Sequence, residues 1–208
     1  MSTATHTLLL ASASPGRRRV LTDAGLRFDT KVSTVDEQAV TAAAEAAHGP
    51  LDAKDMALLL ARAKAENVAG QASAGTLVLG CDSVFEFDGI AYGKPHTAQV
   101  ATERWQQMRG RYGVLHSGHW LIDANSGAGH GQVSSTIVRF APVSDAEIAA
   151  YVASGEPLPC AGGFTVDGLG AAFIESIDGN YQNVIGLNVS MLRDLLTQHR
   201  VAITDLWV

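Results

Sequence analysis

Leu8-Leu9-Leu10-Ala11-Ser12-Ala13-Ser14-Pro15-Gly16-Arg17-Arg18-Arg19 joins an apolar run, a pair of hydroxyls and a cluster of arginines in one short stretch. Leu8–Ala11 reads as a buried strand. Ser14 suits a helix N-cap, and Pro15 suits the first helical position, where its missing N–H costs nothing. Gly25 fits just past the end of that helix. A strand running straight into a helix N-terminus aims unpaired N–H groups and a positive dipole at one spot, which favours an anion. Sorting the helix by angle places Arg17 on the apolar face with Val20, Leu21 and Ala24. Arg18 falls on the border and Arg19 points away. A cation on an inward face wants an anion beside it. The same pattern also fits a surface helix with solvated arginines.

The 208 residues are 47% hydrophobic and 17% charged, enough for a packed core in a single domain. The net charge of -6 argues against nucleic acid polymers and acidic membranes as partners, so the local arginine cluster points to a small polyanion. The two cysteines, Cys81 and Cys160, lie far apart with no metal-ligand spacing, which fits a reducing cytoplasm and no disulfide. The N-terminal apolar run is too short for a signal peptide and its arginines follow rather than precede it. No stretch is long enough to span a membrane.

Strands are expected at Arg27–Val32, Thr76–Gly80, Gly113–Asp123, Val133–Phe140 and Ala172–Ile177, with a hairpin of Val84–Phe87 and Ile90–Tyr92 around Asp88-Gly89. Helices are expected at Ala39–Ala47, Asp52–Val68, Thr97–Met108, Ser144–Ser154 and Val189–His199. Ser144-Asp145-Ala146-Glu147 forms a capping box. Met56, Leu59, Leu60 and Ala63 make the apolar face of the Asp52–Val68 helix, with Lys64 on its edge. Strands alternate with helices, but the hairpins break a simple βαβ repeat. The reading is an α/β protein with a mixed, elongated sheet and flanking helices.

In Leu77-Val78-Leu79-Gly80-Cys81-Asp82-Ser83 an apolar strand ends at glycine and an acid follows at its carboxyl end, the edge where α/β proteins bind ligands. Asp82 could hold a divalent metal, act as a general base, or merely cap the next turn. Glu37, after Asp36 in the polar stretch Ser33–Gln38, is a candidate second carboxylate, and two carboxylates with substrate phosphates suit Mg²⁺. Lys64 and Lys94 are candidate phosphate contacts. Lys64 could equally snorkel, and Lys94 before Pro95 could be an ordinary turn lysine. His116 and His119 fall on opposite faces of a strand. Gly168-Leu169-Gly170 lacks the rest of a dinucleotide fingerprint, and there is no P-loop or nucleophile elbow. Ser12 and Ser14 have no histidine at a partner spacing and read as oxyanion ligands.

Together these segments resemble the Maf (septum formation inhibitor) family of nucleoside triphosphate pyrophosphatases, from Leu8 to about Leu196. The blocks that carry the resemblance are Ala11-Ser12-Ala13-Ser14-Pro15-Gly16-Arg17-Arg18, Val35-Asp36-Glu37, Leu60-Ala61-Arg62-Ala63-Lys64-Ala65, Leu79-Gly80-Cys81-Asp82-Ser83-Val84 and Gly93-Lys94-Pro95. Tyr151-Val152-Ala153-Ser154-Gly155-Glu156-Pro157-Leu158, Ala161-Gly162-Gly163-Phe164 and Ile177-Asp178-Gly179-Asn180-Tyr181-Gln182-Asn183-Val184-Ile185-Gly186-Leu187 follow in order.

The resemblance implies two lobes around a cleft, a fold similar to inosine triphosphate pyrophosphatases, and a homodimer. It implies Mg²⁺- or Mn²⁺-dependent cleavage of a nucleoside triphosphate between its α and β phosphates. Ser12, Ser14 and Arg17 match the family's phosphate-binding motif. Glu37 and Asp82 match its acidic residues, with Asp82 as proton acceptor, and Lys64 and Lys94 match its lysines. Three positions depart from the family pattern. Gly16 stands where one branch has arginine and another tryptophan. Asp167 stands where the branches have glutamine or glutamate; as a carboxylate it only accepts, which suits a guanine-type base edge. Gly113 replaces a histidine. A nucleotide-sensing regulator of cell division is the alternative to a housecleaning hydrolase. The joint presence of Asp82, Glu37, Lys64 and Lys94 favours the hydrolase.

Overall fold

The computed structural model describes residues 6–208. Strands are β1 (Thr7–Leu10), β2 (Asp29–Thr30), β3 (Thr76–Phe87), β4 (Ile90–Tyr92), β5 (Tyr112–Asp123), β6 (Gly129–Phe140) and β7 (Ile174–Asp178). Helices are α1 (Pro15–Asp23), α2 (Glu37–His48), α3 (Ala53–Ala69), α4 (Ala98–Met108), α5 (Asp145–Ala153), α6 (Tyr181–Ile185) and α7 (Val189–Gln198). They build one mixed sheet in the order β2-β1-β3-β5-β6-β7, with β4 on β3. The pairs β2–β1 and β1–β3 are parallel, and all others are antiparallel. The α/β class and the mixed sheet are as the sequence predicts. β3, β5 and β6 have 12 residues each, roughly 40 Å of extended chain, and this gives the sheet its length.

Several boundaries move. The strand expected at Thr76–Gly80 does not end at the glycine. It runs unbroken through Asp82 to Phe87, so the expected separate hairpin strand is the far half of β3. Gly80 has a packing reason instead. A Cβ there would lie 2.1 Å from Ala61 O, and one at its close neighbour on β5, Gly118, would lie 2.2 Å from Ala57 O. Helix α3 presses its backbone onto these two glycines. Its buried side is accordingly a stripe of small residues, Ala53, Ala57, Ala61 and Ala65, with Leu60 and Val68. Of the expected face, only Leu60 is fully buried; Met56, Leu59 and Ala63 are half-buried.

Strand β2 shrinks to two residues. Only Asp29 and Thr30 pair with β1, and Arg27 N donates to Leu206 O instead. Helix α2 begins at Glu37, inside the expected polar stretch, because Asp36 caps it by accepting from Ala39 N at 3.0 Å. The capping box at Ser144 and Glu147 forms as expected.

Alternation along β3 creates two apolar cores on one face. Leu77, Leu79 and Cys81 pack with Leu8, Leu10, Leu21 and the α7 leucines. Phe85 and Phe87 pack with Trp105, Phe140, Tyr151 and Phe164. Between the two cores the same face turns polar, with Ser83 on β3, Ser117 and His119 on β5, and Ser134 and Thr136 on β6. Ser117 and His119 are fully buried. This polar belt is the physical form of the expected division into two lobes. The opposite face of β3 carries Val78, Asp82 and Val84 toward α3.

Candidate active site

The site lies at a gap in the sheet edge. One side of β3 pairs with β5 along most of its length. On the other side β1 covers residues 76–79 and β4 covers residues 85–87. On that side, no strand among the described residues lies beside the intervening residues. Because Leu79 O accepts from Ala11 N toward β1, strand alternation turns the backbone of Cys81 and Ser83 into the same gap. A strand that keeps going also sends Asp82 and Ser83 to opposite faces. The gap is therefore reached from both faces.

On one face Ser83 meets an anion cradle. Ser14 caps α1 by accepting from Arg17 N at 3.3 Å. Arg17 is the only one of the three arginines in α1 to be buried, at 8% exposure, as the angular reading predicts. Its Nε donates to Gly186 O at 2.9 Å, Nη1 to Ser12 Oγ at 3.0 Å and Nη2 to Ser83 Oγ at 3.2 Å. Gly186 sits at φ +119°, and a Cβ there would lie 3.1 Å from Arg17 Nε. Glycine is thus favoured by the positive φ, and a side chain there would crowd the guanidinium. A guanidinium has five N–H donors, so Arg17 keeps two beyond these three bonds. The free hydroxyl protons of Ser12 and Ser14 and the N–H of Gly16 complete a set of donors for an oxyanion, since Pro15 has no N–H and those of Arg17 and Arg18 bond to Ser14.

On the other face Lys64 stands between two carboxylates. Its Nζ is 2.5 Å from Asp82 Oδ1 and 2.8 Å from Glu37 Oε1. Lys64 and Asp82 are largely buried, whereas Glu37 is half exposed at the start of α2. The adjacent acids thus have separate tasks: Asp36 caps the helix and Glu37 reaches the lysine. Burial pushes Asp82 above the usual carboxylate range, while Lys64 and Arg17 pull it back. A carboxylate raised this way is a better proton acceptor near neutral pH. Burial also pushes the Cys81 thiol up to about 11, so it is no nucleophile here.

Oxygen donors of this kind suit a hard divalent cation. No group of three or more His, Cys, Asp or Glu among the described residues is arranged to hold a metal by itself. Asp82 and Glu37 could supply part of a coordination shell that phosphate oxygens and water complete.

The remaining expected site residues stand apart. Lys94 is exposed between β4 and α4 and makes no hydrogen bond or ion pair among the described residues. Its loop is held by Gly93 O, which accepts from Arg104 Nη1 at 2.6 Å. Asp167 is engaged by Arg19 in an ion pair through Oδ2. Arg19 does leave the apolar face, but it reaches the 161–168 segment rather than bulk water alone. Gly16 is crowded, since a Cβ would lie 3.0 Å from Ile185 Cγ2 and 3.2 Å from Ile185 O. At Gly113 a Cβ would lie 2.2 Å from Phe85 Cζ, so the aromatic core occupies the space of a larger residue. Sequence reasoning missed Ser83, Ser117 and Asn183. Reading 80–84 as continuing strand would have placed Ser83 opposite Asp82 and exposed its role.

The family described as Maf-like protein matches residues 7–199 of the chain. A protein of Leifsonia xyli subsp. xyli named nucleoside triphosphate pyrophosphatase is 51% identical over 206 residues, covering 96% of each chain. Proteins of the same name from Salinispora tropica and Streptomyces coelicolor are 50% identical over 204 residues and 51% over 201 residues. They cover 96% of this chain in both cases, and 87% and 94% of their own. With that match spanning nearly the whole sequence, the chain belongs to the Maf-like protein family.

Proposed function

We propose that this protein hydrolyses a nucleoside triphosphate between its α and β phosphates, releasing a monophosphate and pyrophosphate, and so removes particular nucleotides from the pool. One observation carries the reading: a buried carboxylate bridged to a lysine opens onto the same strand gap as a donor-rich cradle for an oxyanion. The shared name of relatives at about half identity supports it.

Phosphoryl transfer needs charge neutralisation and alignment above all. Arg17, Ser12, Ser14 and the α1 N-terminus bind the phosphates. Lys64 adds positive charge beside Asp82, and Lys94 adds it from the loop between β4 and α4. Asp82 accepts a proton from the attacking water. A bound Mg²⁺ or Mn²⁺ at Asp82 and Glu37 would neutralise phosphate oxygens. The base preference is of guanine type through Asp167, a carboxylate that only accepts hydrogen bonds. The protein acts in the cytoplasm as a homodimer. No helix among the described residues is long and apolar enough to cross a membrane.

The test is a panel of natural and modified nucleoside triphosphates assayed for pyrophosphate, with and without chelator. Pyrophosphate release that stops on chelation and returns with Mg²⁺ or Mn²⁺ supports the proposal. Tight nucleotide binding with no pyrophosphate would instead favour a sensing regulator. Turnover of dTTP and UTP far above guanine-type substrates would overturn the base preference. A monomer in light scattering would overturn the dimer.

A further inference from the structure

We infer that Ser117 and Asn183 are positioning residues for the anion cradle, acting through Ser83 on Arg17. Counting hydroxyl protons sets the direction of the contacts. Ser117 Oγ donates its one proton to Asn183 O at 3.1 Å. The 2.8 Å contact between Ser83 and Ser117 must then run from Ser83 to Ser117. Ser83 Oγ in turn accepts from Arg17 Nη2. The chain has a single direction, from Arg17 through Ser83 and Ser117 to the backbone of Asn183.

This direction assigns the hydroxyls different work. Ser83 has committed its proton and has none for a substrate. Ser12 accepts from Arg17 Nη1 and from Ser14 N, and keeps its proton to donate. The segment 183–186 holds Arg17 at both ends, since Gly186 O takes Nε directly. That segment is itself fixed to the sheet. Asn183 is fully buried, and its Nδ2 lies 3.2 Å from Leu115 O, 3.2 Å from Ser134 O and 3.0 Å from Thr136 Oγ1. Removing the Ser117 hydroxyl would free Ser83 to turn its proton elsewhere and would loosen one of the three anchors on Arg17.

The inference rests on Arg17 binding phosphate, and the test separates the two ideas. Inorganic tripolyphosphate is titrated calorimetrically into the full chain and into Ser83→Ala, Ser117→Ala, Ser117→Thr and the double alanine variant. Each single alanine change should weaken binding about tenfold, the double should be no weaker than the worse single, and threonine should restore binding. Losses that multiply in the double variant, or single variants that bind like the parent, overturn the inference. Exchange of the Arg17 Nε–H, read by NMR on the free protein, needs no ligand. It should speed about tenfold in Ser117→Ala while the β3 amides keep their protection. Unchanged Nε–H exchange overturns the inference even if the parent binds no tripolyphosphate, an outcome that would separately defeat the phosphate reading. Should Ser117→Ala fail to fold, Ser117→Cys, which keeps the volume but is a weak donor, takes its place in both measurements.

Discussion

Asp82 and Glu37 share one lysine but not one environment. Asp82 is largely buried and Glu37 half exposed, so the loss of each charge is felt differently. Asp82→Asn keeps size and can still face Lys64, yet removes the proposed proton acceptor. The fold should survive, and pyrophosphate release should fall by about a hundredfold or more. Wild-type-like turnover in a folded Asp82→Asn protein would remove this residue from the chemistry. Glu37→Gln acts at a half-exposed carboxylate and should cost about tenfold or less; under the proposed metal dependence, more of the loss should fall on the metal concentration needed than on nucleotide affinity. A metal titration of both variants checks that order. Arg17 and Ser14 are legible at this scale because a helix start is local: cap, proline and angular position all lie within one turn. The chain from Ser83 to Asn183 is not, because its members come from β3, β5 and α6 and meet only when the sheet is assembled.

At the scale of elements, the contact between α3 and the sheet decides where Lys64 stands. Backbone meets backbone at Gly80 and Gly118, and a single added methyl has nowhere to go. Gly80→Ala should destabilise the protein by about 3 kcal/mol in urea unfolding and should also reduce activity, since shifting α3 moves Lys64 away from Asp82. Gly93→Ala is the control: nothing lies within 4 Å of where its methyl would stand and the backbone is ordinary, so stability should stay within about 0.5 kcal/mol. If both variants melt alike, the close packing is not what sets the helix position. The same contact explains two misread elements. Glycine normally punctuates a strand, so Gly80 reads as an end when it is an accommodation. An alanine stripe carries little hydrophobic signal, so the longer residues Met56 and Leu59 read as the buried face. Both errors come from a tertiary demand that no local pattern reports.

For the whole molecule, the polar belt between the two cores ties stability to pH. His119 is fully buried within it. Its Nδ1–H donates to Ser117 O at 3.0 Å and its Nε2 accepts from Asn188 N at 2.9 Å, so the neutral ring uses both nitrogens. Protonation would destroy the acceptor and place a charge near Arg17 in a dry site. Burial first, and the Arg17 charge second, hold the His119 pKa down to about 4, against 6.5 for an ordinary histidine. The unfolded chain therefore takes up a proton near 6.5 that the folded chain refuses until about 4. The contribution of His119 is intact above the unfolded value, declines as pH falls through this window, and levels off below it. The full loss is about 3 kcal/mol. Gln in place of His119 offers an NH₂ donor group and a carbonyl acceptor and does not titrate. Unfolding of the parent and of His119→Gln in urea, from about pH 7 to about pH 4, should show the parent losing stability more steeply. Parallel curves would mean that His119 is not the group linking pH to the fold. Because Asn188 opens α7 and Ser117 lies in the central strand β5, a proton at this point unties one core from the belt rather than fraying an edge. The loss should accordingly appear as one cooperative transition shared by both cores, and not as an early step confined to α7.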